Sequence, residues 1–505
     1  MMGMVPNIYL LKYLNGKGLN VPEVEKMAKR YMKIGYDREQ KYRFPDGSYS
    51  VWGPKTDDTG SMWLTSFVVK AFVQASKYIE VDKKSIMESM YWIIKQQGED
   101  GCFQNKGYAL HQELKGDPTS LSAAVLVTLI EAKYVIADWK PHFESNSPRN
   151  SLDLERFGQV IDKAYGCVQR NVSDDDGGDN KLYLRSMVTY ASTLYHGKAQ
   201  EKEIDLDRSE KLLNELVSAA NTSMPGKIYW TTGEQNKARD VEITAYNILS
   251  LTLQNKLAEA LQAIRWLVTN RNSYGGFVST QDTMVALQAI AEYSLKISSE
   301  KNDLDVDVVL NNVGENAVEI KKTFPVNEDN KLILQKEKFT GVGEPASEMG
   351  VTVMASGNGC FMVQTILRYN INDSPNKQGF NLVVKQTGEE MKVCANYTGS
   401  KQTDMVVIEI ELLSGYTPYL KSLEKLFKQK ASKYSNDVNY VPVKKYEYDE
   451  KEQKIVLYYD EMLKNTNCYD IQLKKVTEIK DIKPAIASIY DYYNTKNTYS
   501  TSYTV

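Results

Sequence analysis

At 505 residues the chain is too long for one ordinary core and should divide into two to four domains. With 42% hydrophobic and 25% charged residues it is neither apolar enough for a membrane protein nor polar enough for disorder, and no apolar run reads as long enough to span a bilayer. A net charge of -3, both signs interspersed, excludes a basic field for nucleic acid.

The opening "MMGMVPNIYLLKYLNG" already reads as the middle of a helix, with Met4, Ile8, Leu11 and Leu14 at helical spacing. It has no basic n-region and no continuous apolar core, so it is not a secretion leader. A unit then recurs: a Gly-aromatic loop followed by an apolar helix rich in small residues. "PDGSYSVWG" precedes "MWLTSFVVKAFVQA", "EDGCFQ" precedes "SLSAAVLVTLIEA", "KIYWTT" precedes "ITAYNILSLTL", and "SYGGFVSTQDT" runs into "MVALQAIAEYSL". Helices apolar nearly all round must be buried on several sides. Alternate helices such as "PEVEKMAKRYMKIGY" are more polar. Pairs of one buried and one half-exposed helix predict a closed α/α toroid over residues 1–297, its loop aromatics plugging the ends of the ring.

Beyond "KISSEKNDLD" the period changes to two in "DVDVVLNN", "KLILQKEKF" and "GCFMVQTILRYNI", which predict strands. "NDSPNKQG" is a turn-rich boundary. "FNLVVKQT", "MKVCANYT", "MVVIEIELL", "KIVLYYDEM" and "CYDIQLKKV" are spaced as in an antiparallel sandwich, with one short helix at "YLKSLEKLFKQKAS". The ending "NTKNTYSTSYTV" is polar and expected to fray.

The cysteines, Cys102, Cys167, Cys360, Cys394 and Cys468, form no CxxC pair or zinc spacing, and their scatter allows two disulfides and one orphan. Sequons start at Asn171, Asn221, Asn372 and Asn396. Sequons with scattered cysteines lean toward secretion. His142 and His196 sit in polar contexts and read as solvated. His111 has no nucleophile or metal partner beside it in the sequence. "SDDDGGDN" lacks the spacing of an EF-hand loop and reads as a solvated acidic turn.

Together, "MMGMVPNIYLLKYL", "DGSYSVWG", "DGCFQNKGYALHQELKG", "GGFVSTQDTMVALQA", "SGYTP", "VLYYDEM" and "KPAIASIYDYYNT" resemble the thioester-containing proteins, the family of alpha-2-macroglobulins, complement components and insect thioester proteins. The resemblance covers nearly the whole chain. It implies a multidomain, α-then-β architecture. The thioester-type toroid spans 1–297, the C-terminal half of a CUB-type β domain 298–373, and a macroglobulin-type, receptor-binding β-sandwich 374–505. A half CUB sheet would leave unpaired edges and an apolar face.

The family's reactive motif, Gly-Cys-Gly-Glu-Gln-Asn-Met, would end at Met1, so its Cys and Gln are not in this chain. "TGEQN" at 232–236 shares letters but carries Thr232 where the thiol belongs, and is read as coincidence. By the resemblance, His111 is the histidine that takes the acyl group from the thioester and passes it to a hydroxyl, with Glu113 placed to polarise it. Tyr446, Tyr448, Tyr458 and Tyr459 are candidate aromatics that shield the thioester, against the alternative that half of them face the sandwich core. Cys102 with Cys167 and Cys394 with Cys468 resemble family disulfides, and Cys360 is left unpaired. Asn171, Asn221, Asn372 and Asn396 become candidate glycosylation sites.

The implied function is that of the C-terminal part of a secreted, extracellular innate-immune protein, a covalent opsonin or broad endopeptidase inhibitor, and not an enzyme. Its leader would lie upstream. Expected partners of the parent are surface hydroxyl groups, proteases and a cell-surface receptor, with no nucleic acid, membrane insertion, metal or cofactor. The alternative is an α/α-toroid enzyme of terpene cyclase or prenyltransferase type, since "QQGEDGCFQ" is similar to a cyclase repeat. Against it, the sequence has no Asp-x-Asp-Asp motif and no zinc set.

Overall fold

The computed structural model describes all residues except 2, 108–117, 143–153, 172–180, 199–205, 234–236, 274, 298–300, 313–318, 340–348, 368–378, 401–402, 429–439 and 495–496. It contains two compact units, Met1–Ser294 with Ile371–Val505, and Leu295–Asn370.

In the first unit, α1 (Val5–Gly16) buries Val5, Ile8, Leu11 and Leu14, the face its spacing predicts. Pro6 costs nothing in the first turn, where its missing N–H has no helical acceptor. α2 (Pro22–Glu39) starts on Pro22, with Glu23 and Glu25 facing the positive end of the helix dipole. The two helices approach at Gly35, where a Cβ would lie 2.7 Å from the Cβ of Met4. Helices α3 (Met62–Ala75), α5 (Pro118–Ile136), α7 (Lys181–Lys198), α9 (Lys237–Leu253) and α11 (Thr280–Lys296) are buried on most sides. They alternate with α4 (Lys83–Ile94), α6 (Leu154–Asn171), α8 (Leu206–Ser218) and α10 (Leu257–Thr269), which bury a narrower face. The ring closes where Tyr9 OH of α1 donates to Gln288 Oε1 of α11 at 3.0 Å, with Lys12 and Glu292 paired beside it.

One expectation fails here. The helix Pro118–Trp139 is, at 22 residues, long and apolar enough to cross a membrane. Two thirds of its most apolar window is buried inside the protein, so its composition is explained by packing among neighbouring helices rather than by lipid.

The Gly-aromatic loops share one device that the sequence did not announce. Each places a buried aromatic at an end of the ring and donates that residue's backbone N–H to a hydroxyl of the next inner helix. Tyr49 N bonds Thr65 Oγ1 at 2.9 Å, Phe103 N bonds Ser122 Oγ at 2.9 Å, Trp230 N bonds Thr244 Oγ1 at 3.3 Å, and Phe277 N bonds Thr283 Oγ1 at 2.9 Å. A buried loop amide is thereby satisfied without a strand partner.

At the start of α11, Asp282 accepts from Ser279 N at 2.7 Å and Val278 N at 3.0 Å. Burial pushes its carboxyl up to about 7 against those donors, with Glu242 adding like charge. The folded state therefore holds this proton more tightly than the unfolded chain, whose carboxyl titrates near 3.8. The stability it contributes is fully present below that value and is lost as pH rises through about 7. Asp282→Asn is expected to flatten the fall in stability between those two pH values, as read by denaturant titration. An unchanged slope would exclude this assignment.

The second unit holds a three-stranded antiparallel sheet in the order β2-β1-β3, from β1 (Asp303–Asn312), β2 (Glu319–Asn327) and β3 (Met349–Asn358). "DVDVVLNN" is a strand as expected. "KLILQKEKF" and the described part of "GCFMVQTILRYNI" are not, although β2 and β3 are edge strands of the same sheet. Their apolar side chains stay exposed, Leu334 by 87% and Leu367 by 63%.

In the first unit, residues from 380 onward form a sandwich. One sheet has the order β4-β5-β10-β7 and the other β12-β11-β6-β9-β8. The first contains β4 (Phe380–Thr387), β5 (Glu390–Tyr397), β7 (Tyr416–Pro418) and β10 (Asn467–Lys475). The second contains β6 (Val406–Glu411), β8 (Lys445–Asp449), β9 (Lys454–Tyr459), β11 (Ala485–Asp491) and β12 (Thr498–Tyr503). β4 alternates buried and exposed residues along its length, the signature of one face on a core. α12 (Leu420–Lys428) buries Leu423 and Leu426. The expected frayed ending is corrected: β12 pairs with β11 from Tyr503↔Ala485 to Thr498↔Tyr490, because its Thr and Tyr residues suit a half-exposed edge strand.

Candidate functional site

The C-terminal end of α2 touches both parts of the candidate site. On one side, Glu39 Oε2 lies 3.4 Å from Met1 N, just before α1. On the other, the turn Gln40–Tyr42 backs the loop Ser50–Gly60, with Gly53 against Lys41 and Tyr42. That loop holds its own shape: Gly53 N donates to Ser50 Oγ at 3.0 Å and Trp52 N to Asp57 Oδ2 at 3.2 Å.

The loop presents the Trp52 indole to the end of β9. Nε1 donates to Asp460 Oδ1 at 2.6 Å, and the ring lies 6.2 Å from that of Tyr458. Lys444 Nζ holds the other oxygen of Asp460 at 2.7 Å. Tyr458 OH donates to Glu447 Oε2 at 3.0 Å, and Lys445 Nζ sits 5.4 Å from its ring centroid. Thr280 Oγ1 and Tyr492 OH form a second link, at 3.3 Å, between ring and sandwich. Burial pushes the Asp57 carboxyl up, with Ser50, Trp52 N–H and Lys444 opposing and the Asp460 charge reinforcing.

Of the four candidate shielding tyrosines, the sandwich turns one toward the ring. Tyr446 pairs with Leu457 and Tyr448 with Ile455, both fully buried, so all four share the inner face. Tyr459 lies on that face too, fully buried with its ring 5.2 Å from that of Tyr469. Tyr459 is therefore a core residue, Tyr446 and Tyr448 are partly buried against that core, and Tyr458 is the one with a ring contact to Trp52. Period-two alternation dictates this split.

His111 and Glu113 lie outside the described residues. The chain leading to them is pinned against the same loop: Met62 N donates to Lys106 O at 2.8 Å, and a Cβ on Gly107 would lie 2.3 Å from Gly60 O. Gly107 also has φ +71°, a conformation that favours glycine. Glu234, Gln235, the acidic turn at 173–180 and the Asn372 sequon also lie outside the described residues, and both interdomain boundaries of the sequence reading touch such segments. His196 is not simply solvated, for its Nε2 lies 2.8 Å from Tyr165 OH.

Cys102 is bonded to Cys167 and Cys394 to Cys468, the latter directly across β5 and β10, while Cys360 is an exposed thiol. Asn171 Nδ2 donates to Cys167 O at 3.1 Å, and Asn221 Oδ1 accepts from Ser223 N at 2.9 Å. Among the described residues no group of three or more His, Cys, Asp or Glu is placed to hold a metal. Trp52, Asp460 and Lys444 were not foreseen. A loop tryptophan directly after a Gly-aromatic turn was the available signal, since no helix needs it.

Two family models match the chain: the A-macroglobulin TED domain over residues 1–293 and the A-macroglobulin receptor binding domain over residues 401–504. Among curated proteins the chain is similar to ovostatin of Gallus gallus, 31% identical over 526 aligned positions. The alignment covers 97% of this chain and 32% of that protein, so the chain spans about a third of the length of the relative it matches.

Proposed function

The chain belongs to the alpha-2-macroglobulin family of thioester-containing proteins, and from that premise we propose that it is the part of a secreted innate-immune protein that controls a covalent acyl-transfer bond. Family membership leaves the cyclase alternative without support, and the chain is read as a non-enzyme. In this reading residues 1–297 form the ring that surrounds the bond. Residues 298–373 belong to a CUB-type domain, and residues 374–505 form the sandwich that covers the ring.

The contact of Asp460 and Tyr458 with the Trp52 loop carries the proposal. It fastens the sandwich to the loop that packs on the turn after α2 and on the approach to His111. His111, by resemblance, passes the acyl group to a hydroxyl, with Glu113 orienting it. This favours marking of surface hydroxyls over trapping of proteases, which the family also does. A cell-surface receptor is the further partner proposed for the sandwich.

The 505 residues contain no Gly-Cys-Gly-Glu-Gln-Asn-Met. The chain by itself is therefore expected to take up neither labelled glycerol nor labelled methylamine. A version preceded by Gly-Cys-Gly-Glu-Gln-Asn is expected to take up glycerol, and His111→Asn in that version to shift preference toward methylamine. Uptake by the 505-residue chain, or an unchanged preference in the variant, would show the reading to be wrong.

A further inference from the structure

The sequon Asn221-Thr222-Ser223 opens a short hairpin between α8 and α9. Asn221 N donates to Tyr229 O at 2.7 Å, and Tyr229 N donates back to Asn221 O at 3.2 Å. At the tip Lys227 N donates to Met224 O at 3.1 Å, with Gly226 at φ +68°, a conformation that favours glycine. The Tyr229 ring stacks on Trp266 of α10, centroids 4.8 Å apart and planes 3° from parallel, and Ile228 N donates to Gln262 O at 3.4 Å. The base of the hairpin is thus fastened to α10, while residues 222–226 are exposed.

This frame orients the Asn221 amide. Oδ1 accepts from Ser223 N at 2.9 Å, the local turn that asparagine makes with the residue two positions on. With the oxygen held inward, Nδ2 faces the other way. It is not buried and has no acceptor among the described residues. Asn171, at the end of α6, is placed differently. Its Nδ2 donates to Cys167 O at 3.1 Å and lies 3.4 Å from Cys102 Sγ, so its hydrogens face a helix carbonyl and the disulfide. Asn396 sits inside β5 opposite Asn381, and its Nδ2 is directed at Tyr397 O at 3.4 Å.

We propose that Asn221 is the preferred site of N-linked glycosylation among these three asparagines, an inference that rests on the reading of the chain as secreted. In the transfer, Nδ2 forms a bond to the anomeric carbon of an oligosaccharide carried on a lipid diphosphate. The bond from that carbon to the diphosphate oxygen breaks, the lipid diphosphate leaves with the electron pair, and Nδ2 gives up one proton. Oδ1 still holds Ser223 N in the product, so the hairpin keeps its shape. The sugar also requires this side of the ring to stay open to solvent in the parent protein.

The full chain behind a secretion leader, made in animal cells, tests this. Enzymatic deglycosylation in heavy-oxygen water marks each occupied asparagine for mass spectrometry. Asn221 is expected to be occupied more fully than Asn171 or Asn396, and Asn221→Gln or Ser223→Ala to remove one step from the electrophoretic ladder of glycoforms. Asn221 bare, or occupied no more than Asn171 or Asn396, would overturn the preference. A glycan at Asn221 in this chain but none on the protein isolated from its natural source would overturn the secretory reading and leave the geometry standing.

Discussion

Glu131→Ala is expected to destabilise the helical ring by about 3–5 kcal/mol, the usual cost of removing one partner from a buried ion pair. Glu131 lies on α5 with its side chain 10% exposed, 3.3 Å from Lys70 Nζ on α3, itself 16% exposed. It also accepts from Tyr190 OH at 3.2 Å, from Gln288 Nε2 at 3.2 Å and from Gln74. Lys70 in turn bonds Gln288 Oε1 at 3.1 Å, the atom that Tyr9 uses to close the ring. Four inner helices and α1 thus meet in one polar knot. Burial and the Glu131 charge both push the Tyr9 and Tyr190 hydroxyls well above their ordinary pKa, so these groups stay protonated donors. Removing the carboxylate strands Lys70 as a buried cation and takes an acceptor from Tyr190 OH, Gln288 Nε2 and Gln74. The double replacement Lys70→Met with Glu131→Leu is expected to recover most of the loss, because it removes the stranded charge as well. Denaturant unfolding of the three variants decides the matter. A Glu131→Ala chain within about 0.5 kcal/mol of the parent, the range of an ordinary surface change, would sink the argument.

Asp460→Ala is expected to loosen the sandwich from the ring. The indole-to-carboxylate bond is charge-assisted, and such bonds contribute about 1.5–3 kcal/mol. Its loss should raise the undocked population roughly 10- to 150-fold. Hydrogen exchange at residues 49–57 and along β9 is the direct readout, since both are covered by the same contact. Lys444→Met is the control: it breaks an ion pair inside the sandwich and leaves the Trp52 indole bonded to Asp460. Exchange that rises equally in both variants would mean that Asp460 acts on the sandwich fold and not on docking.

Much of this architecture is legible in the sequence because it rests on short-range period. The repeated Gly-aromatic loops and all-round apolar helices specify the ring, and alternation specifies β4, β5, β9 and β10. Alternation also contained the answer for the tyrosines: Tyr458 and Tyr459 are neighbours and must face opposite ways. What escaped the sequence depends on distant partners. Trp52 and Asp460 are 408 positions apart, and nothing local marks them as a pair. "KLILQKEKF" has the period of a strand but joins no described ladder, whereas polar β12 pairs with β11. His111 was legible only through the motif around it.

The closure of the ring by Tyr9 and Gln288 sets a condition on biosynthesis. The two residues are 279 positions apart, so at ordinary translation rates α1 is made roughly 15–60 s before the helix that seals it. Through that interval Tyr9 and Lys12 lack the partners that α11 supplies. Long-range closure of this kind is slow relative to local helix formation. The nascent ring thus stays open beside α1 until its last helix leaves the ribosome.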